Sequence, residues 1–318
     1  MNESNFVLRK KCPGCKAENY QELYTAPYTQ PPISNYLEQF YSPVGGIEFD
    51  ILADIDFIVD ECLECGLLYQ RLILNENLMK KLYEKWIDPN SILHSKVKNR
   101  EFSYYSRLAR EIELCINYFG RKPNELKLLD FGMGWGEWCR MAQAYGCSAF
   151  GVELSQTRIE FAKTFGVSVI KWEEIPEHRI DFINAEQVFE HIANPLETLQ
   201  YLCKALKTDG IVKISVPNCW DVKRRLEILD WTALKGSKNS LNPISPLEHI
   251  NCFTHDSLLK MAILAGLDPI QIPTHIRKKK LQDFTVRDIL SPYFSLMKKV
   301  VNRGVVGSTH LFFHRRLG

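Results

Sequence analysis

Leu128-Leu129-Asp130-Phe131-Gly132-Met133-Gly134-Trp135-Gly136 is the stretch that decides how this chain folds. An apolar run ends in an acid and three alternating glycines. Trp138 to Tyr145 then carries apolar residues at helical spacing. Glycines without Cβ atoms let the chain turn sharply at the end of a strand and let main-chain N–H groups approach a ligand. A helix beginning near Gly136 points its N-terminus into the same crevice, where an anionic group is favoured. A dinucleotide fingerprint needs G-x-G-x-x-G, and Glu137 stands where its third glycine would be. By itself the loop reads equally as a tight strand-to-helix turn.

The flanking sequence separates these readings. Ser148-Ala149-Phe150-Gly151-Val152 forms a second short apolar segment ending at Glu153. An acid at the end of the second strand of a nucleotide-binding unit accepts the hydroxyls of a ribose. The alternative is an acid that caps a helix starting near Ser155. Strand, loop, helix and acid in that order favour the ribose role. Further strands are expected at 126–131, 148–152, 167–170, 180–185 and 210–216, alternating with helices, which means a parallel sheet covered on both faces.

Residues 124 to 270 resemble the class I S-adenosylmethionine-dependent methyltransferases. The resemblance rests on the glycine loop and on three later segments. Ile183-Asn184-Ala185-Glu186-Gln187-Val188-Phe189-Glu190-His191-Ile192, followed by Asn194-Pro195, is similar to the V-L-E-H-x-x-x-P segment of ubiquinone-type O-methyltransferases and sugar methyltransferases. Asp209 to Asn218 is similar to the family's fifth strand, and Pro246 to Thr254 to its E-H-x-x-x-F-T segment. The resemblance implies a Rossmann-like, doubly wound α/β fold. Its seven-stranded sheet is mostly parallel with the last strand antiparallel, and residues 266–272 and 309–314 supply the final antiparallel pair. It implies S-adenosylmethionine as cofactor. Asp130 would approach the methionine amino group, Gly132, Gly134 and Gly136 would give backbone contact, and Glu153 would hold the ribose. Trp172 and Glu173 would meet the adenine, and Glu186 and Gln187 would border the methionine moiety.

Four of the ten cysteines form two C-x-x-C units, Cys12/Cys15 and Cys62/Cys65. A two-residue spacer turns both sulfurs toward one ion, and two such knuckles complete a tetrahedral zinc site. Four thiolates leave no open coordination position, so this Zn2+ would be structural. A redox dithiol fits less well, because two separate pairs occur without a thioredoxin-like pattern around them. Four unmetallated cysteines are the remaining alternative. The alternating stretch Ile47 to Val59 is expected to form a hairpin presenting the second knuckle. Cys115, Cys139, Cys147, Cys203, Cys219 and Cys252 lie in apolar segments and are expected to be small core residues. Several sugar C-methyltransferases carry a similar four-cysteine domain before the cofactor domain. In them a segment like Leu78 to Trp86, with Tyr83, links the two. Tyr83 is then either part of a lid over the cofactor or a core aromatic.

These readings divide the chain into a zinc-binding β module (1–75), a helical linker or lid (76–120) and a methyltransferase domain (121–318), with insertions at 219–245 and 273–307. The first insertion is expected over the carboxyl edge of the sheet, where substrate binds. The second is basic, with Arg277, Lys278, Lys279, Lys280, Arg287, Lys298, Lys299 and Arg303 against Asp283 and Asp288. It suits either a phosphate-bearing substrate, a membrane surface, or a solvated helix pair.

Composition sets the outer bounds. The chain has 318 residues, 45% of them apolar and 25% charged, which is ordinary for a globular protein. A formal charge of +2 gives no sign of nucleic-acid binding. The start of the chain has no signal-peptide pattern, and no window reaches the length of a membrane span. The expectation is a cytoplasmic enzyme.

Methyl transfer to a hydroxyl or carbon acid uses a base. His249, after Glu248, matches a Glu-His pair that takes part in catalysis in the zinc-bearing sugar C-methyltransferases, although the flanking residues differ. Its alternative role is to order the loop before the helix at Ser257. His191 is the second candidate. Those relatives usually continue into a third domain, whereas this chain is expected to complete its pocket with the two insertions or with the partner subunit of a homodimer. The expected substrate is a small molecule such as a sugar or nucleotide sugar, methylated on oxygen or carbon. The competing readings are methylation of RNA or protein, with the zinc module as recognition element, and a methyltransferase-like scaffold without activity. Fold alone does not choose the acceptor.

Overall fold

The N-terminal part builds two small antiparallel sheets. Its elements are β1 (Phe6–Leu8), β2 (Tyr20–Pro27), α1 (Ile33–Tyr41), β3 (Asp56–Cys62), β4 (Leu68–Gln70) and β5 (Leu72–Leu74). The computed structural model describes residues 5–89, 100–273, 276 and 308–316. β1 pairs with β5, and β2, β3 and β4 form a meander. The hairpin expected over 47–59 is not formed. Phe49–Leu52 is a short 3-10 helix that buries Leu52, and Asp54 turns the chain left-handed at φ 61°. Only β3 is extended; it pairs with β2 and with β4, and the β3–β4 connection carries Cys62 and Cys65.

α2 (Glu76–Lys81) starts at Asn75, whose side chain accepts the Leu78 N–H at 2.9 Å, and a π turn over Leu82–Trp86 prolongs it. α3 (Phe102–Phe119) ends at Gly120, a left-handed C-cap. The large sheet follows: β6 (Lys127–Phe131), α4 (Glu137–Ala144), β7 (Ser148–Val152), α5 (Gln156–Thr164), β8 (Ser168–Val169), β9 (Ile180–Glu186), α6 (Pro195–Ala205) and β10 (Leu206–Pro217). Then come α7 (Val222–Ile228), β11 (Asn251–Cys252), α8 (His255–Leu264), β12 (Leu267–Ile270) and β13 (Ser308–Arg315). The strand order is β12-β13-β10-β9-β6-β7-β8, with β13 antiparallel to both neighbours and the other pairings parallel. This is the expected seven-stranded α/β sheet. β9 and β6 are buried on both faces along most of their length, as central strands between helix layers are. The expected fifth strand reaches further back than 210, because β10 begins directly at the end of α6.

The two parts share their cores. The four cysteines pack in one cluster with Leu129 and Phe131 of the large sheet and with Phe189 just after β9. A second cluster joins Tyr28, Leu37, Tyr41 and Phe57 to Trp231, Leu241 and Ile244 of the 219–245 segment and to Leu247 just after it. β11, which follows that insertion, adds to β4 as the fourth strand of the N-terminal sheet.

One expectation about the cysteines is corrected. Cys219 and Cys252 are not separate core residues; they form a disulfide, with Cα atoms 5.8 Å apart. The end of β10 and the short strand β11 meet only in three dimensions, so the spacing in sequence hides the pair. The basic segment 273–307 lies outside the described residues apart from Pro273 and Ile276.

Candidate active site

The glycine loop leaves the carboxyl end of β6 at the centre of the sheet. Gly132, Gly134 and Gly136 have φ of 75°, 55° and 79°, a region closed to most side chains. A Cβ on Gly132 would come within 2.5 Å of Val188, and one on Gly136 would press on Ala162. At Gly134 that space is open, so its main chain faces the crevice. Gly136 caps α4 at its N-terminus.

Asp130 is buried beneath the loop and accepts a hydrogen bond from Asn184 Nδ2 at 2.8 Å. Burial pushes its carboxyl up to about 7, against the pull of Asn184 and Lys213. Glu153 lies at the end of β7. Its carboxylate accepts the Gly134 N–H at 3.0 Å, the Leu154 N–H at 2.9 Å and the Ser155 N–H at 3.1 Å. The acid therefore holds the turn that leads into α5, whose N-cap Ser155 has no side-chain cap, and it touches the glycine loop.

A cavity of about 170 Å³ opens beside the loop, lined among others by Arg100, Tyr104, Arg107, Glu111, Asp130 and Glu186. Glu186 pairs with Lys213 at 2.8 Å, and Lys213 also reaches Glu111 at 3.1 Å. Burial works to raise Glu186, but Lys213 outweighs it and holds the acid below its ordinary value. Arg100 pairs with Glu137 at the start of α4. Sequence reasoning missed Asn184, Lys213 and the α3 side chains. A lysine and an asparagine inside otherwise apolar strands are the signal that could have found the first two. The α3 residues come from an ordinary amphipathic helix and carry no such mark.

The remaining expected cofactor residues are spread along the same edge. Trp172 stacks on Tyr201, with ring centroids 4.5 Å apart, and lies 5.8 Å from the Phe131 ring. Glu173 is exposed next to it. Gln187, at φ 56°, donates to Ser215 and Ser308 hydroxyls rather than into the cavity.

The two candidate histidines meet, although they are distant in sequence. Their rings are 4.8 Å apart. His191 follows β9 on the short helix Phe189–His191, and His249 sits in the loop before β11. A carbonyl oxygen only accepts. His191 Nδ1–H therefore donates to the Glu248 carbonyl at 2.8 Å, and His249 Nδ1–H donates to the Asn242 carbonyl. Burial lowers both: His191 to about 4, and His249 well below the usual range with His191 adding to the effect. Both imidazoles are neutral near neutrality, with a lone pair left on Nε2. The Tyr83 hydroxyl is 3.0 Å from His191 Nδ1, so the linker helix reaches the site. Burial first, then Glu248 and Glu190, keeps that hydroxyl protonated.

The N-terminal sheet braces this loop. Gln70 Nε2 donates to the Ser245 and His249 carbonyls at 2.9 and 3.1 Å. Arg9, buried, donates to the Gln70 and Ile250 carbonyls and to Asn251 Oδ1. Asn251 in turn donates to the Phe189 and Ile192 carbonyls at 3.0 and 2.7 Å, tying the two histidine segments together.

The four N-terminal cysteines gather as their spacing implies. Cys12 and Cys65 are 3.6 Å apart at sulfur, Cys15 and Cys62 3.5 Å, and all four sulfurs lie within 4.8 Å of one another. Tetrahedral zinc with 2.3 Å bonds needs sulfurs about 3.8 Å apart, so the set fits the ion with small adjustments. Each knuckle closes on a left-handed residue, Lys16 and Gly66, whose N–H returns to the first cysteine's carbonyl. The hydrogen bond from Cys65 pulls the Cys12 thiol below its ordinary value. None of the described helices is long and apolar enough to cross a membrane.

Comparison with known proteins gives the family. Residues 98–272 match a family described as methyltransferase domain. The ubiquinone biosynthesis O-methyltransferase of Chelativorans sp. (strain BNC1) is 28% identical over 155 residues, covering 43% of this chain and 59% of that protein. The enzyme of the same description from Bartonella quintana (strain Toulouse) is 30% identical over 129 residues, 36% of this chain and 52% of that protein. The chain thus spans little more than half the length of these relatives. A SAM-dependent methyltransferase structure from Archaeoglobus fulgidus covers 72% of this chain and 100% of its own, at 17% identity and a TM-score of 0.46.

Proposed function

This chain belongs to the methyltransferase domain family, and on that premise we propose that it transfers the methyl group of S-adenosylmethionine to a small molecule. The observation that carries the reading is the glycine loop with Glu153 hydrogen-bonded to Gly134, above a buried Asp130. An acid at this strand end suits a ribose, and the open space over Gly134 suits close approach of a ligand. The methionine end of the cofactor then fills the cavity between the loop and α3, its ammonium toward Asp130. Trp172 and Glu173 flank the adenine, and Glu186 with Gln187 bounds the methionine side.

The acceptor sits under Tyr83, His191, Glu248 and His249. Transfer is an in-line displacement at a carbon already activated by the sulfonium, so positioning is the main task. His249 Nε2 carries a lone pair and takes the acceptor's proton. The Arg9–Gln70–Asn251 brace keeps that nitrogen aimed. Lys235 of the insertion acts electrostatically on Glu190, His191 and His249, which favours an acceptor carrying negative charge, such as a nucleotide sugar. The four cysteines hold a structural zinc that supports the brace. S-adenosylmethionine supplies the electrophilic methyl when bound.

The test is label transfer from methyl-labelled S-adenosylmethionine to a panel of nucleotide sugars and phenols. His249→Ala should lower turnover about 100-fold or more, the usual range for a proton-transfer group, with S-adenosylhomocysteine affinity nearly unchanged. Full activity in that variant would reduce His249 to a loop residue.

A further inference from the structure

Ile211-Val212-Lys213-Ile214-Ser215-Val216 runs through the interior of the large sheet, with β9 on one side and β13 on the other. The run is buried throughout, and Lys213 is 4% exposed. A lone ammonium there would be costly. Burial works against its charge, but Glu111 and Glu186 outweigh it and hold the ammonium above its ordinary value. Stability alone does not account for such a group, because apolar residues of the same volume fill a buried site about as well as an ion pair.

Its partners form a closed ring of alternating sign on three elements. Lys213 of β10 reaches Glu186 of β9 at 2.8 Å and Glu111 of α3 at 3.1 Å. Arg107, one turn before Glu111, pairs with it at 3.0 Å and comes within 4.0 Å of Glu186. Trp138 Nε1 of α4 donates to the Glu111 carboxylate at 3.2 Å. Arg107, Glu111 and Glu186 line the cavity beside the glycine loop, and Lys213 stands behind them. The other titratable groups around Lys213 are Asp130 of β6, Cys115 of α3 and His310 of β13. Burial raises Cys115 and lowers His310, so neither carries charge at neutral pH, whereas burial brings Asp130 up to about 7.

We propose that Lys213 is a positioning residue for the cofactor: it ties α3 to the sheet and holds the Glu111 and Glu186 carboxylates in place at the wall that meets the methionine end of the ligand. This rests on the proposal that the cavity takes that end of S-adenosylmethionine. Without the lysine, two carboxylates repel across the gap between α3 and β9, and the wall opens. The sign of the effect separates this role from simple charge. Lys213 is a cation near the place of another cation, so by Coulomb's law alone its removal would tighten binding of the methionine ammonium. Positioning predicts weaker binding. A lysine that served folding alone would change stability and leave affinity as it is.

The experiment compares the full wild-type chain with Lys213→Met and Lys213→Gln. Calorimetric titration with S-adenosylhomocysteine between about pH 6 and pH 9 reads affinity, and amide hydrogen exchange without ligand reads the tether. Lys213→Met should bind at least about tenfold more weakly. Lys213→Gln keeps a donor for the carboxylates and guards against a Met variant that fails to fold; it should weaken binding by about threefold or more. Lys213 also pulls Asp130 down, so in both variants the pH at which affinity levels off should move above the wild-type value of about 8. Exchange over 102–119 should quicken while β6 stays protected. Folded variants that bind as tightly as wild type or more tightly, or whose α3 exchanges as slowly, overturn the proposal. A wild type that binds no S-adenosylhomocysteine strikes the proposed function itself, an outcome distinct from equal binding by wild type and variants.

Discussion

Glu153→Ala removes one side chain with two duties, and their energies separate. In the ligand-free protein the carboxylate accepts from Gly134, Leu154 and Ser155 N–H groups. Removing the two contacts in the turn before α5 loses backbone hydrogen bonds, on the order of 1 kcal/mol net. For a protein of this size that lowers the unfolding midpoint by about 2–4 °C. Cofactor binding loses more. Hydrogen bonds to a charged group are worth about 1.5–3 kcal/mol each, so two ribose hydroxyls represent about 3–6 kcal/mol. The Gly134 N–H already occupies one oxygen, which puts the effect at the low end, about 100-fold in Kd. Glu153→Gln keeps an acceptor oxygen but no charge and should fall between, about tenfold. Titration calorimetry with S-adenosylhomocysteine reads the affinity and scanning calorimetry the stability. A folded Glu153→Ala protein with affinity within about threefold of wild type would refute the ribose role and leave Glu153 as a residue that orders the turn before α5.

Two further outcomes are expected. Cys62→Ser should lower zinc content and folding yield together, since metal binding and folding are one equilibrium in such modules; a zinc-free wild type of equal stability would contradict it. Cofactor binding should depend on pH through Asp130. Burial sets its carboxyl near 7 in the free protein, and the cofactor's ammonium favours the carboxylate. Below about pH 7 binding must therefore release a proton, and affinity should rise with pH and level off above about pH 8. Titrations in buffers of different ionisation enthalpy measure that proton. The same raised carboxyl means the folded state holds a proton that the unfolded chain loses near 3.8, so this group's contribution to stability declines as pH rises from about 4 to about 7.

The features legible in sequence are the contiguous ones. The glycine loop, Glu153 and the two cysteine pairs each occupy one turn, and their chemistry is fixed by local spacing. The order of strands also survives, because apolar runs alternate with helical periodicity. What sequence hid depends on long-range contact. Arg9 meets Asn251 across nearly the whole chain, and no local pattern marks either. Cys219 and Cys252 look like core cysteines until β11 joins the N-terminal sheet. The stretch over 47–59 alternates like a strand, yet burial of Leu52 and the left-handed turn at Asp54 break it.

The central claim is that this loop binds S-adenosylmethionine, and titration of the purified chain with S-adenosylhomocysteine tests it most directly. One equivalent should bind with a Kd on the order of micromolar, about −8 kcal/mol. A folded sample that gives no heat of binding up to about 1 mM ligand would contradict the claim.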